Sequence, residues 1–225
     1  MVLIPALACD ERLYTELIEL LRGGFDCQVV VPSAPTMAEC VDAVLKATPS
    51  KPFILAGTSF GGHVAREVAL AAPERVSGLL VMGAGASAPA GSQVYEERRR
   101  AVDQGRLDDL LETMARTIVF ESEKRGEAAA DAFRAMARSV SPEVFLNQSA
   151  ALATRPDRTA DLERIACRTL LLWGEKDVFS DPSEARRMAS AIPDSELSVL
   201  AECGHLPALE RPMRVASEIR RVFLP

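Results

Sequence analysis

Short apolar runs alternate with amphipathic stretches along this chain. The runs at 2–4, 29–31, 53–56, 78–82, 169–173 and 197–200 are largely apolar, without a clean in–out alternation. Strands covered on both faces carry such runs, and strands of that kind are usually parallel. Between them the spacing of apolar positions predicts helices at 10–22, 36–48, 61–72, 183–191 and 212–223. Asp181-Pro182-Ser183-Glu184 reads as a capping box with proline at the first helical position. Pro73 and the Pro193-Asp194 pair stop two of the helices. Regular strand–helix alternation predicts an α/β fold built on a parallel sheet.

One stretch breaks the alternation. Between 89 and 158 no strand signal occurs, and the pattern predicts helices near 93–103, 106–118, 123–139 and 142–153. Ser141 is placed to cap the last of these, with Pro142 at its first position. The large apolar residues of the stretch are few. A segment so poor in apolar side chains is expected to pack over the sheet as a helical cap (89–158) on a core domain made of 1–88 and 159–225. Met114, Phe120, Phe133, Met136 and Phe145 are expected to contribute to a substrate pocket beneath it, in competition with the cap's own packing.

Composition narrows the function classes. Of 225 residues 48% are hydrophobic and 26% charged, as in an ordinary globular protein rather than a disordered one. The net charge is −6 and no basic tract stands out, so nucleic acid is not an expected partner. No apolar stretch approaches the ~20 residues of a membrane span. The first seven residues are apolar but lack the basic flank of a signal peptide. The five cysteines form no Cys-x-x-Cys pair and their number is odd, which argues against a disulfide framework or zinc site and for reduced thiols in a cytoplasmic protein. Two histidines give little material for a metal centre.

The strongest chemical signal is Gly57-Thr58-Ser59-Phe60-Gly61-Gly62, between the strand at 53–56 and the helix at 61–72. A G-x-S-x-G sequence in strand–turn–helix context is a nucleophile elbow, which presents the serine hydroxyl on a tight turn above the sheet edge. A serine hydroxyl needs a general base, and the base needs an orienting acid. His63 lies on the helix leaving the elbow and is expected to be a packing residue. His205 follows the last strand, at the carboxyl edge of the sheet, and is the expected base. Asp177, in Trp173-Gly174-Glu175-Lys176-Asp177, is the expected acid. Asp181 is better explained as a helix cap, Glu175 as a turn residue, and the loop 83–88 carries no acid.

The order Ser59, Asp177, His205 and four motifs together resemble the α/β-hydrolase fold with a helical cap. The motifs are GTSFGG at the elbow, LLLWGEKD before the acid, CGHLPALERP around the base, and the opening LIPALACDERLY. The chain is similar to the cofactor-free serine hydrolases typified by carboxylesterases, enol-lactonases and pimeloyl-ester hydrolases. The resemblance implies a trimmed version of that fold: a six-stranded, all-parallel sheet with helices on both faces, the first strand lying between the second and third. It also implies an oxyanion hole made of the Phe60 and Leu7 backbone N–H groups. Ala6 stands where the family usually has glycine, and Asp10 serves equally as a helix cap.

The activity implied is hydrolysis of a small-molecule carboxylic ester, thioester or lactone through an acyl-enzyme on Ser59, with no metal or organic cofactor. Three alternatives stay open at this level. The same three residues support carbon–carbon bond hydrolysis or cofactor-free haloperoxidation, and the fold also serves non-catalytic ligand-binding proteins. The sequence leaves the oligomeric state open.

Overall fold

The computed structural model describes residues 1–224. Six strands form one sheet: β1 (Val2–Ile4), β2 (Gln28–Val29), β3 (Phe53–Thr58), β4 (Val76–Met82), β5 (Arg168–Gly174) and β6 (Ser195–Leu200). Their order across the sheet is β2-β1-β3-β4-β5-β6, and every neighbouring pair is parallel. The expected all-parallel sheet, with its first strand between the second and third, is therefore present. The central strands are buried on both faces, which is why their sequences are apolar throughout.

Helices α1 (Thr15–Leu21), α2 (Met37–Ala47) and α3 (Phe60–Ala71) follow the first three strands, and α8 (Pro182–Ala191) follows β5. A short α9 (Pro207–Glu210) leads into α10 (Pro212–Phe223). The chain moves from β1 to one edge through α1, then back across the sheet through α2, α3 and α8. With right-handed crossovers this puts α1 on one face and the other three on the opposite face. The packing agrees, since α1 pairs with α10 and α2 pairs with α3. The winding direction changes between β1 and β3, and the carboxyl ends of those two strands flank the place where open α/β sheets bind ligands.

Helices α4 (Gln93–Asp103), α5 (Leu107–Ile118), α6 (Glu127–Ala137) and α7 (Pro142–Ala153) fill the interval between β4 and β5. The ends of this interval are tied together: Arg158 N–H donates to the Ala86 carbonyl at 2.9 Å, and Ala88 N–H donates to Asp157 at 3.3 Å. The Arg158 guanidinium also grips the Glu67 carboxylate of α3 at 2.8–3.1 Å. α4 packs on α7 and α5 on α6, while α7 also reaches α2 and α3.

Several boundaries differ from the sequence reading. The helix expected at 10–22 is a 3-10 turn, Glu11–Tyr14, followed by α1: Leu13 N–H bonds to the Asp10 carbonyl three residues back. The helix expected at 123–139 begins at Glu127, after turns in which the Lys124 and Gly126 N–H groups both bond to the Glu121 carbonyl. The strand expected at 29–31 ends at Val29, before Pro32, whose missing N–H and restricted predecessor suit it poorly to a strand. At α8 the capping box is incomplete. Asp181 accepts the Ser183 N–H at 2.7 Å, but the Glu184 carboxylate turns away to Ser87 and Arg187.

Candidate active site

Ser59 occupies the turn between β3 and α3 with φ 53° and ψ −114°, a backbone conformation that L-residues rarely adopt. Its own N–H is held by the Met82 carbonyl of β4 at 2.7 Å. The flanking glycines are required by contact. A Cβ on Gly57 would lie 2.0 Å from the Gly61 carbonyl oxygen, and one on Gly61 would lie 2.0 Å from the Ile4 carbonyl oxygen. Beneath the elbow the Tyr14 hydroxyl donates to the Ile4 carbonyl at 2.8 Å and shares a hydrogen bond with the Thr58 hydroxyl. This buried brace links β1 to β3 directly under the serine.

His205 Nε2 lies 2.8 Å from Ser59 Oγ, and its Nδ1 lies 2.8–2.9 Å from both carboxylate oxygens of Asp177. Asp177 is buried, and its Oδ1 also accepts the Phe179 and Ser180 N–H groups at 2.8 and 2.9 Å. These bonds fix the carboxylate, so Nδ1 carries a proton towards Asp177 and Nε2 faces the serine as an acceptor. Such an arrangement can take the proton of a serine hydroxyl as its oxygen attacks an electrophilic carbon. The Phe179 ring stands 5.1 Å from the imidazole, tilted by 37°.

The loop carrying His205 is held by Glu210, which lies within CGHLPALERP. Glu210 accepts the N–H groups of Gly204 and Leu206, on either side of His205, at 2.8 and 3.0 Å. It also accepts the Phe120 N–H at 2.8 Å, and His205 N–H donates to the Ile118 carbonyl. The histidine loop and the segment after α5 are therefore tied together. Burial pushes the Glu210 carboxyl upward, against the three N–H bonds that favour its charged form.

His63 takes a different place. It is buried in α3, and its Nδ1 lies 3.1 Å from Arg66 Nη2. Burial first, then the Arg66 and Arg155 charges, hold it well below the ordinary histidine range. Its imidazole stays neutral and makes no bond to the Ser59 side chain among the described residues, while its backbone N–H donates to the Ser59 carbonyl at 3.0 Å.

Leu7 and Ala6 lie in the turn after β1, and both are buried. The left-handed residue of this turn is Ala8, with φ 60°, while Ala6 needs no positive φ. The departure from glycine at Ala6 is thus sterically harmless. Gln148 of α7 braces the turn: it accepts the Ala8 N–H at 3.3 Å and donates to the Pro32 carbonyl at 3.0 Å. Asp10 caps the turn that follows and pairs with Arg12. Phe60 begins α3, so its N–H has no acceptor within the helix.

A cavity of about 680 Å³ opens beside Ser59, His205 and His63. Its walls come from the loop after β4, from α4 and the end of α7, and from the segment leading into α8. None of Met114, Phe120, Phe133, Met136 or Phe145 lines it, which corrects the expected pocket. Met114, Phe133 and Met136 are buried where α5 packs against α6, and Phe145 is buried below the Arg98 guanidinium. Phe120 lies at the histidine loop with Arg125 over its ring. These five side chains thus pack elsewhere, and the cavity wall mixes apolar side chains such as Val94, Leu152 and Phe179 with polar and charged ones. No group of side chains suited to a metal ion occurs among the described residues, and no helix is long and apolar enough to cross a membrane.

Comparison with known proteins gives the same fold. A thermophilic esterase from Thermogutta terrifontis superimposes with a TM-score of 0.87 at 28% identity, covering 98% of this chain and 87% of that one. The enol-lactonase from Burkholderia xenovorans LB400 gives 0.89 at 17% identity, over 100% of this chain and 90% of that one, a likeness of fold alone. Among curated relatives, a 2-hydroxy-6-oxononadienedioate/2-hydroxy-6-oxononatrienedioate hydrolase from Dechloromonas aromatica is 31% identical over 160 residues. That match covers 66% of this chain and 54% of the relative, so the chain spans about half the length of such relatives. A pimeloyl-[acyl-carrier protein] methyl ester esterase from Nitrosospira multiformis is 27% identical over 176 residues, 75% of this chain and 67% of the relative. Residues 1–218, from the brace under the elbow to the helix after the histidine loop, match the model of one family, and the chain belongs to it: the alpha/beta hydrolase family.

Proposed function

We propose that this hydrolase cleaves a carboxylic ester, thioester or lactone through an acyl-enzyme on Ser59. The observation that carries the reading is the unbroken chain Ser59 Oγ to His205 Nε2 at 2.8 Å and His205 Nδ1 to Asp177 at 2.8–2.9 Å. Ser59 Oγ attacks the substrate carbonyl while His205 takes its proton. Asp177 holds the imidazole tautomer and stabilises the imidazolium. The Phe60 and Leu7 N–H groups receive the oxyanion of the tetrahedral intermediate. The intermediate expels the leaving group, which takes the proton from His205. Water then attacks the acyl carbon with His205 again as base, and Ser59 is released with its proton restored.

Residues 89–158 act in this reading as a cap, supported by the α4 and α7 residues that wall the cavity beside Ser59. The five unpaired cysteines fit a reducing compartment, and the enzyme is proposed to be cytoplasmic. A second reading, carbon–carbon bond hydrolysis, has the support of the relatives named as oxononadienedioate hydrolases, and it would use the same three residues.

A fluorophosphonate probe together with a chromogenic short-chain ester tests the proposal. Covalent labelling that maps to Ser59 and turnover lost on Ser59→Ala are expected. An adduct on Ser87 or another serine, or turnover surviving in the variant, would overturn it.

A further inference from the structure

The wall of the cavity beside Ser59 carries hydrogen-bond donors that have nothing to donate to. Ser149, in α7, is 1% exposed, and its hydroxyl has no partner among the described residues. Just past the end of the same helix, Arg155 is half-buried. Its Nη1 donates to the Leu152 carbonyl, but its Nε is buried without a partner and no carboxylate pairs with it among the described residues. Arg98, on the facing helix α4, forms no ion pair among the described residues, and its guanidinium lies over the Phe145 ring at 6.0 Å. His63 receives the Arg66 N–H at Nδ1, which leaves Nε2 as a further N–H donor. All four of these residues line the same cavity.

The acids on that wall do not neutralise the two arginines. Glu184 is engaged by Ser87 and Arg187, Asp181 caps α8, and exposed Glu97 accepts from Gln93. Behind the wall, Arg66 is fully buried, while Glu67 is committed to Arg158. The wall thus presents two guanidinium groups together with the neutral donors Ser149 and His63. Burial, and then the neighbouring Arg155 charge, lower the Arg98 pKa to about 10. Buried donors are normally satisfied, and unpaired cations at one wall call for an anionic acceptor. A guanidinium fork matches the two oxygens of a carboxylate, which suits a small organic acid bound in a cavity of this size.

We propose that Arg98 and Arg155 bind a free carboxylate on the substrate, so that the enzyme acts on acids bearing a second, hydrolysable acyl group, with Ser149 as an additional donor. The inference rests on Ser59 being the nucleophile, and it specifies the substrate class for that site.

The test compares mono-p-nitrophenyl adipate with p-nitrophenyl hexanoate, which differ at the far end in carboxylate against methyl. The wild type should favour the carboxylate ester in kcat/KM by at least about tenfold, as expected of charge-assisted hydrogen bonds. Arg155→Gln and Arg98→Gln should each bring that ratio towards one, and Arg155→Lys should recover part of it. Adipate binding to Ser59→Ala, measured calorimetrically, should weaken correspondingly when either glutamine substitution is added. A wild-type ratio near one overturns the carboxylate site while leaving the nucleophile intact, and so does a preference that survives both glutamine variants. If neither ester is turned over, the hydrolase reading fails, and the calorimetry alone decides the site: arginine-dependent adipate binding supports it, and absence of binding overturns it.

Discussion

Arg66 donates from Nη2 to His63 Nδ1 at 3.1 Å, deep in α3. A guanidinium has no acceptor, so this contact assigns the tautomer: the His63 proton sits on Nε2, facing the cavity. A protonated His63 would place two cations in a buried contact, with Arg155 close by. The imidazole expected from the sequence to be a packing residue is therefore locked in its neutral form. His205, with Asp177 at its Nδ1, is arranged in the opposite sense, to accept a proton.

The locked tautomer makes His63 a source of acid sensitivity. Its folded-state pKa lies well below the ordinary 6.5, so near and below that pH the unfolded chain binds a proton that the folded protein refuses. The contribution to stability is complete above about pH 6.5 and declines by about 1.4 kcal/mol per pH unit as pH falls from there towards the folded-state value. Urea unfolding at pH 7.0 and pH 5.5 should show this loss in the wild type and a smaller one in His63→Gln. An equal loss in both proteins would place the acid sensitivity elsewhere.

Removal of either the proposed nucleophile or the proposed base should cost most of the activity. Ser59→Ala is expected to lower kcat by about 10⁶-fold, and His205→Ala by about 10⁴-fold or more, towards the rate that substrate binding and the oxyanion site supply alone. Because the two act as a unit, the double variant should be little worse than Ser59→Ala. Steady-state kinetics on one ester give all three numbers, and additive losses would argue against a shared proton transfer.

Glu210 should matter for both stability and catalysis without touching substrate. Glu210→Ala leaves the Phe120, Gly204 and Leu206 N–H groups without their acceptor. A loss of about 1–3 kcal/mol in unfolding free energy is expected. The freed loop should lower kcat more than it changes KM. Glu210→Gln keeps one carbonyl oxygen, and it should restore stability in part. Should the alanine variant keep full kcat, His205 is held by other contacts.

Gln148 is expected to hold the turn after β1 through its bond to Ala8. Gln148→Leu removes the acceptor for Ala8 N–H and the donor to Pro32. Ala8 sits at φ 60°, where alanine is strained, so the turn should relax and the Leu7 N–H should lose its aim. Loss of one oxyanion donor costs about 10²–10³-fold in kcat, and a displaced one should cost part of that, with KM nearly unchanged. An unaltered kcat would remove Leu7 from the proposed oxyanion site.

The elements legible in the sequence were those whose cause is local. Apolar runs such as 169–173 report strands buried on both faces, and Gly57 and Gly61 report a turn with no room for a side chain. Ser59, Asp177 and His205 could be named because each follows a strand at the same edge of a parallel sheet, where chain order implies proximity. The cavity wall was not legible. Whether Phe133 or Arg155 faces the cavity depends on how four helices pack on one another. Nor could the sequence show that Glu210 grips the backbone beside His205, that Arg66 locks His63, or that Arg98 and Arg155 lack acids. Each of those depends on partners brought together from separate helices and loops, or on which face of a helix turns inward. Only the tertiary structure decides such relationships, because it alone sets the distance between groups and the water excluded around them.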